Sequence, residues 1–217
     1  MSSAPAHVGL IPDGLRRWAD AHHTTLTEAY ELGGHKVIEI LLTLQRLGVH
    51  TVSIYNLSRL NLGRRDDELD AVYTASLQFF SELIPAHFDP ASCSVRVHGD
   101  LDLLPPRYVD AARRVEKLMS GSGFRINILA AYDAVDELRA ACRQATAEGC
   151  DIADAFEIGE VDLVIRSTPE PLLSGFLPLQ SQYAQLRFLT TPLNELSAQD
   201  IEDIVAEYRR MPQLRGR

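Results

Sequence analysis

H-V-G-L-I-P-D-G-L-R-R-W, residues His7 to Trp18, decides the fold, because it reads as a short strand, a tight turn and the first turn of a helix. His7–Ile11 is a compact apolar run closed by Pro12 and Asp13, as a buried strand should be. Gly14 permits a turn, and Leu15 to Trp18 begins a helical pattern. The same alternation recurs along the chain. Thr51–Tyr55, Ser94–His98, Arg125–Leu129, Val161–Ile165 and Gln185–Leu189 are further short runs rich in Val, Ile and Leu. Between them lie helical patterns over Thr27–Leu47, Asp66 to about His87, Pro105–Met119, Asp133–Ala147 and Ser197–Met211. Strands alternating with helices predict an α/β fold, with a mostly parallel six-stranded sheet flanked by helices on both faces. No internal repeat, low-complexity tract or linker divides the sequence, so residues 1–217 are expected to form a single domain.

The composition narrows the function classes. The 217 residues include 21 Lys+Arg and 30 Asp+Glu, a formal net charge of -9. That total argues against bulk binding of nucleic acid or anionic lipid, but it leaves a local anion site open. Charged residues at 24% and hydrophobic residues at 46% are globular values. Three cysteines without C-x-x-C spacing suggest neither a disulfide framework nor a zinc site. No stretch approaches the roughly 18 apolar residues of a membrane span, and nothing near Met1 resembles a signal peptide. A soluble, cytoplasmic protein without stable membrane insertion is expected.

Ligands of parallel sheets bind beyond the carboxyl ends of the strands, so the residues just after each strand carry the interest. After the first strand stand Asp13, Gly14, Leu15, Arg16, Arg17 and Trp18. Helix N–H groups, the helix dipole and two guanidiniums make an anion site there, and Asp13 calls for a bridging divalent cation. Taken alone, Asp13 also fits an ordinary turn residue, and the arginines a solvated helix face. After the fifth strand, Arg166, Ser167, Thr168, Glu170 and Ser174 offer a second phosphate site or a plain surface loop. After the second, Y-N-L-S-R-L-N-L-G-R-R-D-D-E-L runs from Tyr55 to Leu69 and carries Asn56, Ser58, Asn61 and Arg64. Glu68 could cap the following helix or reach a partner chain.

The whole set resembles the cis-prenyltransferases of the undecaprenyl diphosphate synthase type. Asp13-Gly14 with Arg17-Trp18-Ala19 is similar to their D-G-N-G-R-W-A motif. The second junction is similar to Y-A-F-S-x-E-N-W-x-R-P…E, with Tyr55, Ser58, Asn61, Arg64 and Glu68 in step. Arg96, Gly99 and Asp100 match R-x-x-G-D, Asn127 and Tyr132 match L-N-I-A-x-N-Y-G-G-R, and Asp162–Arg166 is D-L-V-I-R. Glu170, Ser174, Phe176, Gln180, Tyr183 and Ala184 match E-x-R-x-S-N-F-x-x-x-Q-x-x-Y-A-E. The departures are equally specific. Leu15 and Arg16 replace an Asn and a Gly. Tyr30 stands where the family has the histidine of G-H-K, so His35-Lys36 is a decoy. Leu26 and Leu172 replace diphosphate-binding arginines, the latter in the isoprenyl-diphosphate (IPP) pocket. Gln185 replaces a magnesium-ligating Glu, and Leu57 and Leu62 replace Phe and Trp. P-D-G-x-R-R-W, Tyr30, S-x-F-x-P-L and T-P-L-N-E-L are similar to irregular members that make lavandulyl-type products.

The resemblance implies a homodimeric prenyltransferase that uses Mg2+ and joins two allylic diphosphates, dimethylallyl or geranyl, head-to-middle. It implies Asp13 as metal and diphosphate ligand, with Gly14, Leu15, Arg16, Arg17 and Trp18 around the donor diphosphate. Tyr30 and Arg64 are implied as substrate-binding, Arg166 and Ser174 as holding the acceptor diphosphate, and Ser58 and Asn61 as shaping the reacting centre. Apolar faces of Val37–Leu47 and Leu69–Ile84 are expected to enclose the carbocation. Two alternatives accompany this reading: an enzyme that ionises one allylic diphosphate and cyclises or quenches it, and a non-catalytic partner subunit on the same fold.

Overall fold

The computed structural model describes residues 3–211, and strands and helices alternate through them as the pattern predicts. The order is β1 (His7–Ile11), α1 (Leu15–His22), α2 (Leu26–Arg46), β2 (Thr51–Ser58), α3 (Asp66–Gln78), a π-helical turn (Phe79–Leu83) and α4 (Ile84–His87). Then follow β3 (Cys93–His98), α5 (Pro106–Leu118), β4 (Phe124–Tyr132), α6 (Ala134–Glu148), β5 (Leu163–Arg166), β6 (Gln185–Phe188) and α7 (Ala198–Arg210). The helix starts are set by local chemistry. Thr25 and Glu28 form a reciprocal capping box at α2, Ser197 and Asp200 do the same at α7, and Asp133 caps α6.

One helix departs from expectation. The pattern over Asp66 to His87 reads as a single helix, but the chain widens into the π turn before Pro85. Proline has no N–H for the carbonyl four residues back and its ring crowds it. A wider turn relieves that conflict and lets the chain continue in the same direction.

The sheet order is β3-β4-β2-β1-β5-β6, and every pair is parallel. Such a sheet is buried on both faces. Leu10, Ile40, Leu41, Ile54, Phe80 and Ile126 belong to the cluster on one face, Ile11, Leu129, Val164 and Phe176 to that on the other. Each of these large side chains contributes about 1.5–3 kcal/mol by burial, so the sheet is a rigid platform. The strand order reverses direction around β1, which lies between β2 and β5. A crevice opens at the carboxyl ends of strands at such a point. Register places Leu10 beside Ile54 and Ile11 beside Arg166. The junctions after β1, β2 and β5 therefore meet, although far apart in sequence. No helix among the described residues is long and apolar enough to cross a membrane.

Candidate active site

The three junctions line one cavity of about 910 Å³. Asp13 is among its lining residues. Its backbone N–H donates to Ser167 Oγ at 2.8 Å, and the Ser167 hydroxyl donates back to the Asp13 carbonyl at 2.9 Å. This reciprocal pair ties the loop after β1 to the loop after β5. Arg166 donates to Asp13 Oδ2 from Nη2 at 2.8 Å and from Nε at 3.3 Å. The same guanidinium donates to Ser174 Oγ at 3.0 Å and to the Leu172 carbonyl. Its side chain is only 10% exposed, so the ion pair and these bonds together compensate a largely desolvated cation.

Gly14 supplies the turn into α1. Its φ is +87°, and a Cβ there would approach Pro192 Cβ to 3.0 Å, so the position suits glycine on both counts. No side chain caps α1, and its opening residues line the cavity. That is the arrangement in which first-turn N–H groups and the helix dipole bind an anion. Arg16 pairs with Glu68 of α3 at 3.2 Å. Arg17 pairs with Glu170 at 3.1 Å and donates to Thr168 Oγ1 at 2.7 Å. Glu170 is held below the usual carboxylate range by a backbone N–H, its own, and by Arg17. Glu68 therefore does reach a partner, but one in its own chain.

Tyr30, half-buried on α2, accepts a 3.4 Å hydrogen bond from Arg64, and burial pushes its phenol pKa up. It lines the cavity, whereas His35 is exposed outside it. Ser58 and Asn61 also line the cavity, but their side chains cap each other's backbone: Asn61 N–H donates to Ser58 Oγ, and Ser58 N–H to Asn61 Oδ1. This leaves the Asn61 amide N–H groups for a ligand. Apolar lining comes from Leu26, Val37, Ile54, Val72, Phe79 and Ile128, drawn partly from the expected helix faces.

One expectation needs correction. Trp18 does not line the cavity; its ring stacks on His22 with centroids 4.1 Å apart. One further residue along α1 turns a side chain by about 100°, which carries Trp18 away from the face used by Arg17. Gln185 opens β6 in register with Leu163, itself level with Val8, and so lies at the wrong end of the sheet to meet Asp13 of the same chain. Sequence reasoning also missed what braces the cradle: Leu193 N–H donates to the Asp13 carbonyl at 3.3 Å, and Asn194 Nδ2 donates to the Ala29 carbonyl at 3.0 Å. The T-P-L-N-E-L segment carried that signal.

The donor set bears on a metal. Asp13 Oδ1 accepts only the Gly14 N–H among the described residues, at 2.6 Å, and no group of three His, Cys, Asp or Glu is placed to share a cation. One carboxylate supplemented by phosphate oxygens and water suits Mg2+, which keeps waters and takes few protein ligands.

The sequence matches the prenyltransferase family described as "Putative undecaprenyl diphosphate synthase" over residues 11–216. It is 31% identical over 208 residues to isoprenyl transferase 1 of Corynebacterium efficiens, covering 86% of this chain and 80% of that one. It is 32% identical over 210 residues to the (2Z,6E)-farnesyl diphosphate synthase of Mycolicibacterium smegmatis, covering 85% and 77%. Among solved structures, lavandulyl diphosphate synthase from Lavandula x intermedia, in complex with dimethylallyl diphosphate, superposes with TM-score 0.88 at 24% identity over 97% of each chain. The structure described as "a probable undecaprenyl diphosphate synthase" from Campylobacter jejuni superposes with TM-score 0.85 at 20% identity over 100% of each chain.

Proposed function

We infer what this chain does from the family to which it belongs, the prenyltransferases of the undecaprenyl diphosphate synthase type. It is an enzyme that transfers prenyl groups from allylic diphosphates. Beyond that, we propose that it joins two allylic diphosphates, dimethylallyl or geranyl, in an irregular head-to-middle linkage. The observation that carries this reading is Leu172. It lines the cavity beside Arg166 and gives that corner a carbonyl acceptor, where chain-elongating relatives are expected to carry an IPP-binding arginine. A corner with one guanidinium already committed to Asp13 suits a weakly held second diphosphate better than a tightly clamped IPP.

In this reading the donor diphosphate lies on the start of α1. Arg16 and Arg17 turn from Glu68 and Glu170 to its oxygens, and the first-turn N–H groups meet the charge that grows as the C1–O bond breaks. The electron pair leaves with the diphosphate. Mg2+, when bound through Asp13, supplies further neutralisation of the leaving group. Ser174 and Arg166 hold the acceptor, Asn61 and Ser58 bound the reacting carbons, and the apolar wall excludes water from the cation. The protein is proposed to act as a cytoplasmic homodimer, with residues 1–217 as one functional unit.

Incubation with dimethylallyl and geranyl diphosphate, singly, paired, and each with IPP, tests the linkage. Coupled products from allylic diphosphates alone are expected. Products that form only with IPP would establish regular cis addition, the activity named for the Mycolicibacterium smegmatis relative. A single substrate returned as its alcohol or a cyclised form, without coupling, would establish the one-substrate alternative.

A further inference from the structure

β2 and β4 pair evenly up to Tyr55 and Leu129, and the register then jumps to Leu57 and Ala130. Asn56 is the extra residue of this bulge. Bulges re-aim a side chain, and this one turns Asn56 into the cavity wall. The Y-A-F-S pattern to which the stretch is similar has alanine here, so the carboxamide belongs to this chain.

Its orientation is determined by its neighbours. Asn56 Nδ2 lies 3.1 Å from Ser76 Oγ and 2.8 Å from Tyr108 Oη. Ser76 spends its single hydroxyl hydrogen on the Val72 carbonyl at 2.8 Å, so toward Asn56 it can only accept. With the amide nitrogen on Ser76 and Tyr108, the amide oxygen faces away from both. Ser76 is buried and Tyr108 is fully buried, which fixes the plane. Oδ1 accepts no hydrogen bond among the described residues. Asn56 and the Pro12–Asp13 turn line the same cavity. The carboxamide thus shares a cavity with the proposed diphosphate cradle, on the wall along which a prenyl chain bound there would extend.

We propose that Asn56 is a catalytic residue of the ionisation step, its carboxamide oxygen stabilising the allylic cation. The C1–O bond breaks heterolytically, both electrons leave with the diphosphate, and Asn56 forms no covalent bond. A neutral prenyl chain desolvates Oδ1 and returns nothing for it, whereas the cation is attracted by the oxygen end of the dipole. The group therefore weakens ground-state binding and strengthens transition-state binding, the arrangement that raises kcat. The proposal rests on the prenyltransferase reading but is indifferent to the linkage, because regular and irregular couplings share this ionisation.

Two measurements on the full chain decide it: steady-state kinetics with dimethylallyl diphosphate as donor, and calorimetric binding of an ammonium analogue of the prenyl cation with inorganic pyrophosphate, compared with its neutral carbon isostere. Wild type is expected to prefer the ammonium analogue by about tenfold, the scale of a hydrogen-bonding dipole acting on a charge. Asn56→Ala should erase that preference and lower kcat by a similar factor, with KM unchanged or reduced. Asn56→Leu, close in size and without the dipole, replaces it if the alanine variant does not fold. A wild type that turns over without discriminating the analogues, or an Asn56→Ala whose sole change is a raised KM, overturns the role of Asn56 alone. A wild type that neither turns over nor binds either analogue removes it together with the prenyltransferase reading.

Discussion

Asp13→Ala is expected to lower kcat by about a hundred- to a thousandfold, the scale of removing one preorganised group from the stabilisation of a developing charge. The effect has two sources. Asp13 Oδ1 is the carboxylate oxygen open to a cation, and Oδ2 holds Arg166 through two hydrogen bonds. Alanine removes the first and releases the second. Asp13→Asn separates them, since an amide can still accept from Arg166 but binds magnesium poorly. Kinetics at rising magnesium should show no recovery for alanine and partial recovery for asparagine. Circular dichroism should remain unchanged, because the backbone bonds from Asp13 to Ser167 do not involve the carboxylate. Full activity in Asp13→Ala would remove the central claim about this site.

Gly99→Ala is expected to cost stability rather than chemistry, by about 3–5 kcal/mol, at the upper end of single substitutions. Gly99 follows β3 with φ +133°, a conformation that side chains rarely adopt, and an added Cβ would lie 1.9 Å from the Ala130 carbonyl oxygen. Neither atom belongs to a flexible side chain, so the clash requires strand β4 itself to move. Ala131, the next residue of β4, already carries φ +48°, which leaves little slack. Urea unfolding should show a large drop in midpoint with the slope retained. A midpoint within experimental scatter of wild type would show that the two strands can part there. The glycine of R-x-x-G-D thus has a packing reason, independent of any ligand.

The fold was legible because its strands announce themselves as short apolar runs between turn residues, and its helices as longer periodic ones. Boundaries failed where context overrode propensity. β4 extends through Ala130, Ala131 and Tyr132, none of which reads as a strand continuation, because β2 and the Gly99 turn cover them. The candidate residues fall together in space: Asp13, Gly14, Leu15, Arg16, Arg17, Tyr30, Ser58, Asn61, Arg64, Arg166 and Ser174 all line one cavity. Their pairings were not legible in the sequence, because ion pairs such as Arg16–Glu68 and Arg166–Asp13 join residues on separate elements. Gln185, where the family has a magnesium-ligating Glu, lies within its own chain at the opposite end of the sheet from Asp13, a placement that only the strand register reveals.

Arg16, Arg17 and Arg166 each already hold a carboxylate. The polar end of the cavity is thus a set of internal salts, and on the proposed reading diphosphates enter it by ion exchange. The donor must outcompete Glu68 and Glu170 for Arg16 and Arg17, which one concentrated, multiply charged group does better than a singly charged one. A prenyl monophosphate that competed as well as the diphosphate of equal chain length would contradict this. The acidic chain therefore guards its own cations, and on the proposed reading valence becomes the first criterion by which it sorts its ligands.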